Sequence, residues 1–83
     1  MADASYPNKL KAARQQHFLT RAGLAALTAR VALEDPVRFH PITDRAIERL
    51  ERGENRPRAR VAACLAKVLG LEPGEVFPLG PAA

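Results

Sequence analysis

Prolines and glycines divide this sequence into short segments, and the division restricts the fold more than any other feature. Within the segments, apolar residues recur at intervals of three and four, which places their side chains on one face of a helix. The first segment contains Leu10 and Ala13 at this spacing, with Arg14 on the same face, and the second contains Leu24 and Leu27. No segment is typical of a strand, because β-branched residues are sparse and apolar and polar residues do not alternate. The sequence therefore predicts an all-α fold, a compact bundle of about five short helices.

Capping residues indicate where the helices begin. Pro7 or Asn8 opens the first helix, since proline suits the first turn and asparagine suits the cap. Thr20 and Thr43 precede the second and third helical segments, where a threonine hydroxyl accepts a backbone N–H. Pro57 opens the fourth helix in the same way as Pro7.

Proline and glycine also indicate where the helices end. Pro36 ends the second helix, because it disfavours helical geometry in the residue before it. Gly53 and Gly70 end the third and fourth helices, where a left-handed residue is favoured. Residues 35–42 contain two prolines and no helical period, so we expect a connector there. Residues 71–77 then form a short final helix or turn that closes the core.

The chain has 83 residues, which is enough for one small domain. Its single cysteine, Cys64, excludes disulfides and a cysteine-based zinc site, and we expect it to be a small packing residue. Apolar residues are 47% of the chain, too many for a disordered protein, yet no apolar run approaches the roughly 18 residues that span a bilayer. The N-terminus lacks a hydrophobic stretch behind a basic start. We therefore expect a cytoplasmic protein with one domain at 8–78, a flexible N-terminal tail at 1–7 and a C-terminal tail at 79–83.

The chain is basic, with 13 Lys and Arg against 9 Asp and Glu and a formal net charge of +4. Ten of the 13 bases are arginine, the side chain that forms forked hydrogen bonds with phosphates and guanine edges. Six of the arginines lie within sixteen residues, namely Arg45, Arg49, Arg52, Arg56, Arg58 and Arg60. Acidic residues lie among them, so charge alone leaves two interpretations open: nucleic-acid binding and a solvated, salt-bridged helix face.

Four stretches follow one another along the chain: LKAAR at 10–14, LTRAGLAALT at 19–28, ITDRAIERLERG at 42–53 and RPRARVAACLAKVLGLEPGEVF at 56–77. In this order they resemble the lambda-repressor-like, or Cro/XRE, helix-turn-helix domain. That family has Leu-Thr-Gln at the start of helix two, a recognition helix ending in Ile-Glu-x-Gly, and a proline before helix four. The resemblance implies a helix-turn-helix domain at 8–78, with an insertion at about 30–42 between helices two and three.

The resemblance implies that helix 43–52 is the recognition helix, whose exposed side chains read bases in the major groove of DNA. The base-reading positions of the family correspond to Thr43, Asp44, Arg45, Glu48 and Arg49. Arg45 and Arg49 are suited to paired hydrogen bonds with guanine. Asp44 accepts from cytosine, orients Arg45 or caps the helix. Glu48 orients Arg45 or Arg49. The alternative for Arg49 is an ordinary surface ion pair.

The resemblance also implies contacts with DNA phosphates at two places. Thr20 and Arg21 begin the second helix, where the family usually has Thr followed by Gln. Asn55, Arg56 and Arg58 lie in the loop after the recognition helix. The alternative for that loop is that its charges serve only solubility.

Arg14 and Glu51 match a family pair in which an arginine on helix one meets the glutamate that ends helix three. The implied pair is partly buried and holds the recognition helix in its orientation. Neither residue is then expected to contact DNA.

Two features depart from the family pattern. Phe18 stands where the family usually has the glycine that ends helix one. Because phenylalanine does not readily adopt the left-handed conformation, we expect a different helix end, with Phe18 packed into the core. The second departure is the insertion, which contacts the DNA backbone, builds a dimer contact or pads the fold, the last two being favoured. Its notable side chains are Arg30, Val37, Arg38, Phe39 and His40.

No set of residues points to catalysis, a metal or a cofactor. The two histidines are His17, expected on the inner face of helix one or at its edge, and His40. Metal binding requires further ligands at suitable spacing, and the scattered glycines form no phosphate-binding loop. We therefore expect no enzymatic activity, no cofactor, no metal, no membrane partner and no small-molecule substrate.

The favoured hypothesis is a sequence-specific transcriptional regulator that binds double-stranded DNA. It would be a small repressor or control protein, associated with the nucleoid and acting as a homodimer. The alternative is a protein-interaction module or antitoxin-like adaptor that binds a protein partner through the same fold. A weaker third hypothesis is a nonspecific nucleoid or RNA binder.

Overall fold

The computed structural model describes residues 6–81, and within them the chain forms five α-helices and no strand. The helices are α1 (Leu10–Gln16), α2 (Arg21–Glu34), α3 (Asp44–Glu51), α4 (Ala59–Leu69) and α5 (Pro73–Val76). The all-α fold and the order of the helices agree with the prediction from sequence. The predicted tails at 1–7 and 79–83 lie partly outside the described residues.

The predicted caps of α2 and α3 form local hydrogen bonds. The hydroxyls of Thr20 and Thr43 each accept the backbone N–H three residues further on, at 3.0 and 3.1 Å. Gly53 ends α3 and Gly70 ends α4, and both adopt the left-handed conformation, with φ of 76° and 70°. These four positions are as the sequence predicts, because each cap depends on neighbours within one helical turn.

Two helices begin later than predicted. The first begins at Leu10 rather than at Asn8, whose side-chain oxygen instead accepts the Leu10 N–H at 3.0 Å. The fourth begins at Ala59 rather than at Pro57, because the intervening Arg58 is extended, with φ −73° and ψ 160°.

The main core lies where α2 packs against α3 and α4, with α1 and α5 closing it. Ile47 and Leu50 are the buried residues of α3, and Val76 and Phe77 are buried at the end of α5. The remaining buried residues of this cluster come from α1, α2, α4 and the N-terminal segment: Tyr6, Leu10, Ala13, Leu24, Ala62, Leu65, Ala66 and Leu69. The inner side of α3 is therefore anchored by the core, which leaves its outer side free.

The connector, residues 35–43, packs on a second and smaller apolar cluster. Phe39 is buried there against Ala32 of α2 and Cys64 of α4. The Ile42 N–H donates to the hydroxyl of Thr28 at 3.2 Å, which ties the connector to α2 directly before α3 begins. Burial raises the pKa of the Cys64 thiol, as expected for a packing residue. Phe39 thus anchors the connector to α2 and α4.

The N-terminal segment is part of the core from Tyr6 onwards. The Tyr6 N–H donates to the Gly53 carbonyl at 2.8 Å, and the Tyr6 hydroxyl donates to the Gly80 carbonyl. The tail predicted at 1–7 therefore does not include Tyr6, whose ring is buried. Sequence spacing gave no signal for this residue, since its partners are distant along the chain.

Phe18 contradicts the expectation that it avoids the left-handed conformation and packs into the core. Its φ is 56° and its side chain is 95% exposed. The N–H groups of Phe18 and Leu19 donate to the carbonyls of Gln15 and Arg14, at 3.0 and 3.2 Å. This hydrogen-bond pattern ends the helix with a left-handed residue at position 18. Leu19, half-buried against the core, takes the packing role expected of Phe18.

Candidate nucleic-acid interface

The five predicted base-reading residues all lie on the outer side of α3 or at its cap. Thr43, Asp44, Arg45 and Arg49 are exposed, and Glu48 is half-exposed. They lie opposite the two buried residues of α3 described above. The helix therefore presents a polar face to solvent while its apolar face is held by the core.

Arg45 and Arg49 are one helical turn apart, about 6 Å along the axis of α3. Within residues 6–81, no ion pair involves either side chain. The ordinary surface ion pair considered for Arg49 is therefore absent from the described residues. Two guanidinium groups with uncompensated charge thus lie side by side on the exposed face.

Each of the two acidic residues of this face has a partner on α3 or at its end. Asp44 accepts the Arg45 backbone N–H at 2.8 Å, so it takes the capping role among the three considered. Glu48 forms an ion pair with Arg52 at 2.8 Å, and the expectation that it orients Arg45 or Arg49 is wrong. The reason is helix geometry: a glutamate pairs best with a base four residues further on, and adjacent residues do not face each other.

Glu51, the last residue of α3, is held by arginines from two other helices. Its carboxylate accepts from Nε of Arg14 at 2.6 Å and from Nε of Arg21 at 2.9 Å. The pair of Arg14 and Glu51 that the resemblance implies is thus present, with side chains 9% and 2% exposed. Arg14 also donates to the Leu19 carbonyl at 2.8 Å. These bonds fix the C-terminal end of α3 relative to α1 and α2.

Arg21 has a structural contact that the sequence did not reveal. Its Nε is bonded to Glu51, while its side chain is 40% exposed at the N-terminal end of α2. Thr20, the neighbouring residue predicted to contact phosphate, is exposed, and its hydroxyl caps α2. No sequence signal indicates the contact between Arg21 and Glu51, because it depends on how α2 crosses α3.

An open groove of about 1080 Å³ lies between the beginning of α3 and the beginning of α4. We call it the basic groove. Thr43 lines one side, and Asn55 and Arg58 from the loop and the start of α4 line the other. Further basic side chains at the groove are His40, Arg56 and Arg60.

Neutral partners leave the charge of the basic groove intact. Arg56 donates to the Leu79 carbonyl at 2.7 Å and stacks on the Tyr6 ring at 5.1 Å. Arg60 donates to the Pro36 carbonyl. The acid of the groove, Glu54, is within 3.4 Å of Arg52. The groove is therefore cationic, and Arg58 is exposed there without an ion pair among residues 6–81.

The histidines do not form a site together. His17 is exposed just after α1, contrary to its expected place on the inner face or edge of that helix. The spacing of the first segment places His17 on the helix, but α1 ends at Gln16, so His17 lies after the helix. His40 is exposed in the connector, with Nδ1 2.7 Å from the Pro41 carbonyl oxygen.

In the described part of the chain, no three His, Cys, Asp or Glu side chains are grouped so that they would hold a metal ion. Across residues 6–81, no helix has the length and apolar character needed to cross a membrane.

No protein-family model, curated protein or solved structure matches this chain. Its function is therefore inferred from its own residues.

Proposed function

We propose that this protein is a sequence-specific regulator that binds double-stranded DNA through a lambda-repressor-like helix-turn-helix fold. In this proposal, α2 and α3 form the helix-turn-helix unit, and α3 enters the major groove. The observation that carries the proposal is the pair of exposed guanidinium groups of Arg45 and Arg49 on a helix whose opposite side is buried.

The dimensions and chemistry of α3 suit this role. A helix fits the major groove, which is about 12 Å wide, and its first residues come closest to the base edges. Arg45 and Arg49 each have donors for the O6 and N7 acceptors of a guanine. Asp44 uses one carboxylate oxygen to cap α3, which leaves the other able to accept from a cytosine amine.

The basic groove is the proposed site for the sugar–phosphate backbone beside α3. Arg58 is exposed and has no ion pair within residues 6–81, and the exposed Asn55 lines the same groove. Arg56 donates through one nitrogen to Leu79, which leaves further N–H donors for a phosphate. Near the C-terminal end of α3, where Arg21 meets Glu51, Thr20 and Arg21 at the start of α2 offer a second phosphate contact, supported by the backbone N–H groups of the helix end.

The attachment of Glu51 supports recognition by keeping α3 in one orientation before DNA is bound. A reading helix that is held by the core and by two arginines loses little conformational freedom on binding. One α3 reads only a few base pairs. We therefore propose that the protein acts as a homodimer on two half-sites about 34 Å apart, as a small repressor or control protein of the nucleoid.

Selection of bound fragments from a random duplex pool tests this proposal, followed by fluorescence anisotropy on the selected duplex. We expect an enriched motif with two-fold symmetry. Arg45→Ala or Arg49→Ala should weaken specific binding about 5- to 150-fold, equivalent to about 1–3 kcal/mol, and relax the preference at one base position.

The matched control is Lys67→Ala, which removes one exposed charge at the opposite end of α4 from the basic groove. It should change the dissociation constant by less than about twofold. Equal affinity for all duplexes of the same length, together with unchanged binding in Arg45→Ala, would count against the proposal.

Phe18 favours a second candidate function, binding of a protein partner. The left-handed backbone at Phe18 is strained, and its 95% exposed ring makes no packing contact within residues 6–81 that offsets the strain. A partner pocket that accepts the ring would compensate that strain. The regulatory effect of the protein in cells distinguishes the two functions. If Phe18→Gly removes this effect while Arg45→Ala and Arg49→Ala leave it intact, the second function is supported over the first.

A further inference from the structure

The end of α2 and the turn after it carry the two most exposed large aliphatic side chains of residues 6–81. Leu33 and Val37, four residues apart, are each 82% exposed. They belong to the segment at 30–42, in which the aromatic residue Phe39 is buried. We propose that this surface, called here the α2–connector face, binds a second copy of the chain about a two-fold axis at Leu33.

The helix geometry produces one apolar stripe. At about 100° per residue, Ala26, Ala29 and Leu33 lie within about 60° of one another around α2. All three are exposed. Two such helices in antiparallel contact about Leu33 place the two Leu33 side chains together, and Ala29 of each copy faces the chain just beyond the end of the partner's α2. The alanines are small enough to allow this close approach.

The charges next to the stripe are self-complementary. Arg30 and Glu34 lie one turn apart and flank Leu33 on the same side of α2. Both are exposed, and neither takes part in an ion pair within residues 6–81. A two-fold axis perpendicular to the two helices brings Arg30 of each copy next to the partner's Glu34, so two ion pairs form at once.

The same charges favour a second copy over DNA as the occupant. Between residues 30 and 38 the chain has Arg30 and Arg38 against Glu34 and Asp35, so the net charge is zero. Asp35 and Arg38 already pair with each other at 3.6 Å. DNA phosphates would be repelled by Glu34, whereas a copy of the same surface matches it. This inference does not rest on the DNA-binding proposal.

Two single charge reversals test the arrangement by sedimentation equilibrium. In Arg30→Glu, both interfacial pairs become Glu against Glu, and in Glu34→Arg both become Arg against Arg. Each variant alone should therefore dimerise about tenfold more weakly than the wild type, because two attractive pairs are replaced by two repulsive ones. A mixture of the two variants restores both opposite-charge pairs across the interface, so heterodimers should form with nearly wild-type affinity.

Each variant keeps two like charges at positions 30 and 34 of its own α2, and mixing does not change them. Recovery in the mixture is therefore due to contacts between chains and not to effects within one helix. Lys11→Glu, a reversal on the exposed side of α1, is the control and should leave dimerisation unchanged. Leu33→Ser should weaken the dimer without lowering the thermal midpoint of the dilute monomer, since its side chain is exposed. Unfolding followed by circular dichroism verifies that each variant folds.

The inference is overturned by a wild type that stays monomeric at about 1 mM, by reversals that leave dimerisation unchanged, or by a mixture that does not recover. DNA binding is measured separately with a duplex that contains one half-site. If the wild type binds the half-site but does not dimerise, the dimer proposal fails. If it dimerises but does not bind the half-site, the DNA-binding proposal fails.

Discussion

The side chain of Glu51 lies 2.6 Å from Nε of Arg14, and both groups are almost entirely shielded from solvent. The pair joins the end of α3 to α1, and Arg21 of α2 adds a second cation to the same carboxylate. A buried carboxylate is tolerable only with partners of this kind, because an isolated buried charge is very unfavourable. The geometry of α3 therefore depends on an interaction among three helices.

Replacing Glu51 by Gln should lower the free energy of unfolding by about 3–5 kcal/mol, because Arg14 is left as a buried charge without its partner. Urea denaturation measures the change. Glu54→Gln removes the carboxylate of an exposed pair with Arg52 and should cost less than about 1 kcal/mol. If the two substitutions lower the free energy of unfolding equally, the burial of Glu51 does not increase its contribution to stability.

Replacing Phe18 by Gly should stabilise the fold by about 0.5–1 kcal/mol. The left-handed conformation costs a residue with a Cβ about 1–2 kcal/mol, and the added flexibility of glycine in the unfolded chain offsets part of the gain. The matched control is Phe18→Ala, which keeps the Cβ and its strain and should leave stability nearly unchanged. A stability gain in both variants would assign the effect to the exposed ring instead of the backbone.

Replacing Phe39 by Ala should destabilise the protein by about 3 kcal/mol or more, since its ring fills the space between the connector, α2 and α4. Thermal unfolding at low protein concentration measures the loss. Val37→Ala, two residues earlier and exposed, should change the stability of the monomer by less than about 0.5 kcal/mol. If Phe39→Ala is equally mild, the insertion does not support the fold.

Replacing Arg58 by Ala should weaken binding to all duplexes by a similar factor. It should also reduce the slope of the logarithm of affinity against the logarithm of salt concentration by about one, the signature of one lost phosphate contact. Arg45→Ala should instead change the relative affinities for different duplexes. An Arg58→Ala variant that alters sequence preference without altering the salt slope would move Arg58 from the phosphate contacts to the base-reading set.

Cys64 should react slowly with a thiol reagent in the folded protein and rapidly after unfolding. Burial raises its pKa, so the reactive thiolate is disfavoured in the fold. The same shift contributes stability that is complete below the ordinary thiol pKa and declines as the pH rises through the raised folded value. Denaturation of the wild type and of Cys64→Ala at neutral and alkaline pH measures this contribution. A decline of equal size in Cys64→Ala would attribute the effect to other groups.

Local features of the fold could be predicted from the sequence. Thr20 and Thr43 cap helices, and Gly53 and Gly70 end them, because each makes hydrogen bonds within about one helical turn. The outward placement of Arg45 and Arg49 could be predicted as well, since the apolar spacing of Ile47 and Leu50 determines which side of α3 is buried. These conclusions need only residues that are close together in the chain.

Partner choice over longer distances could not be predicted. Arg21 meets Glu51, and Tyr6 enters the core, only because helices that are distant in sequence pack together. The sequence by itself determined the helices, their caps and the exposed arginines of α3, because short-range sterics and hydrogen bonding govern them. Only the tertiary structure decided the contact of Arg21 with Glu51, the burial of Tyr6 and the exposure of the α2–connector face, because these depend on the crossing of helices that no local pattern specifies.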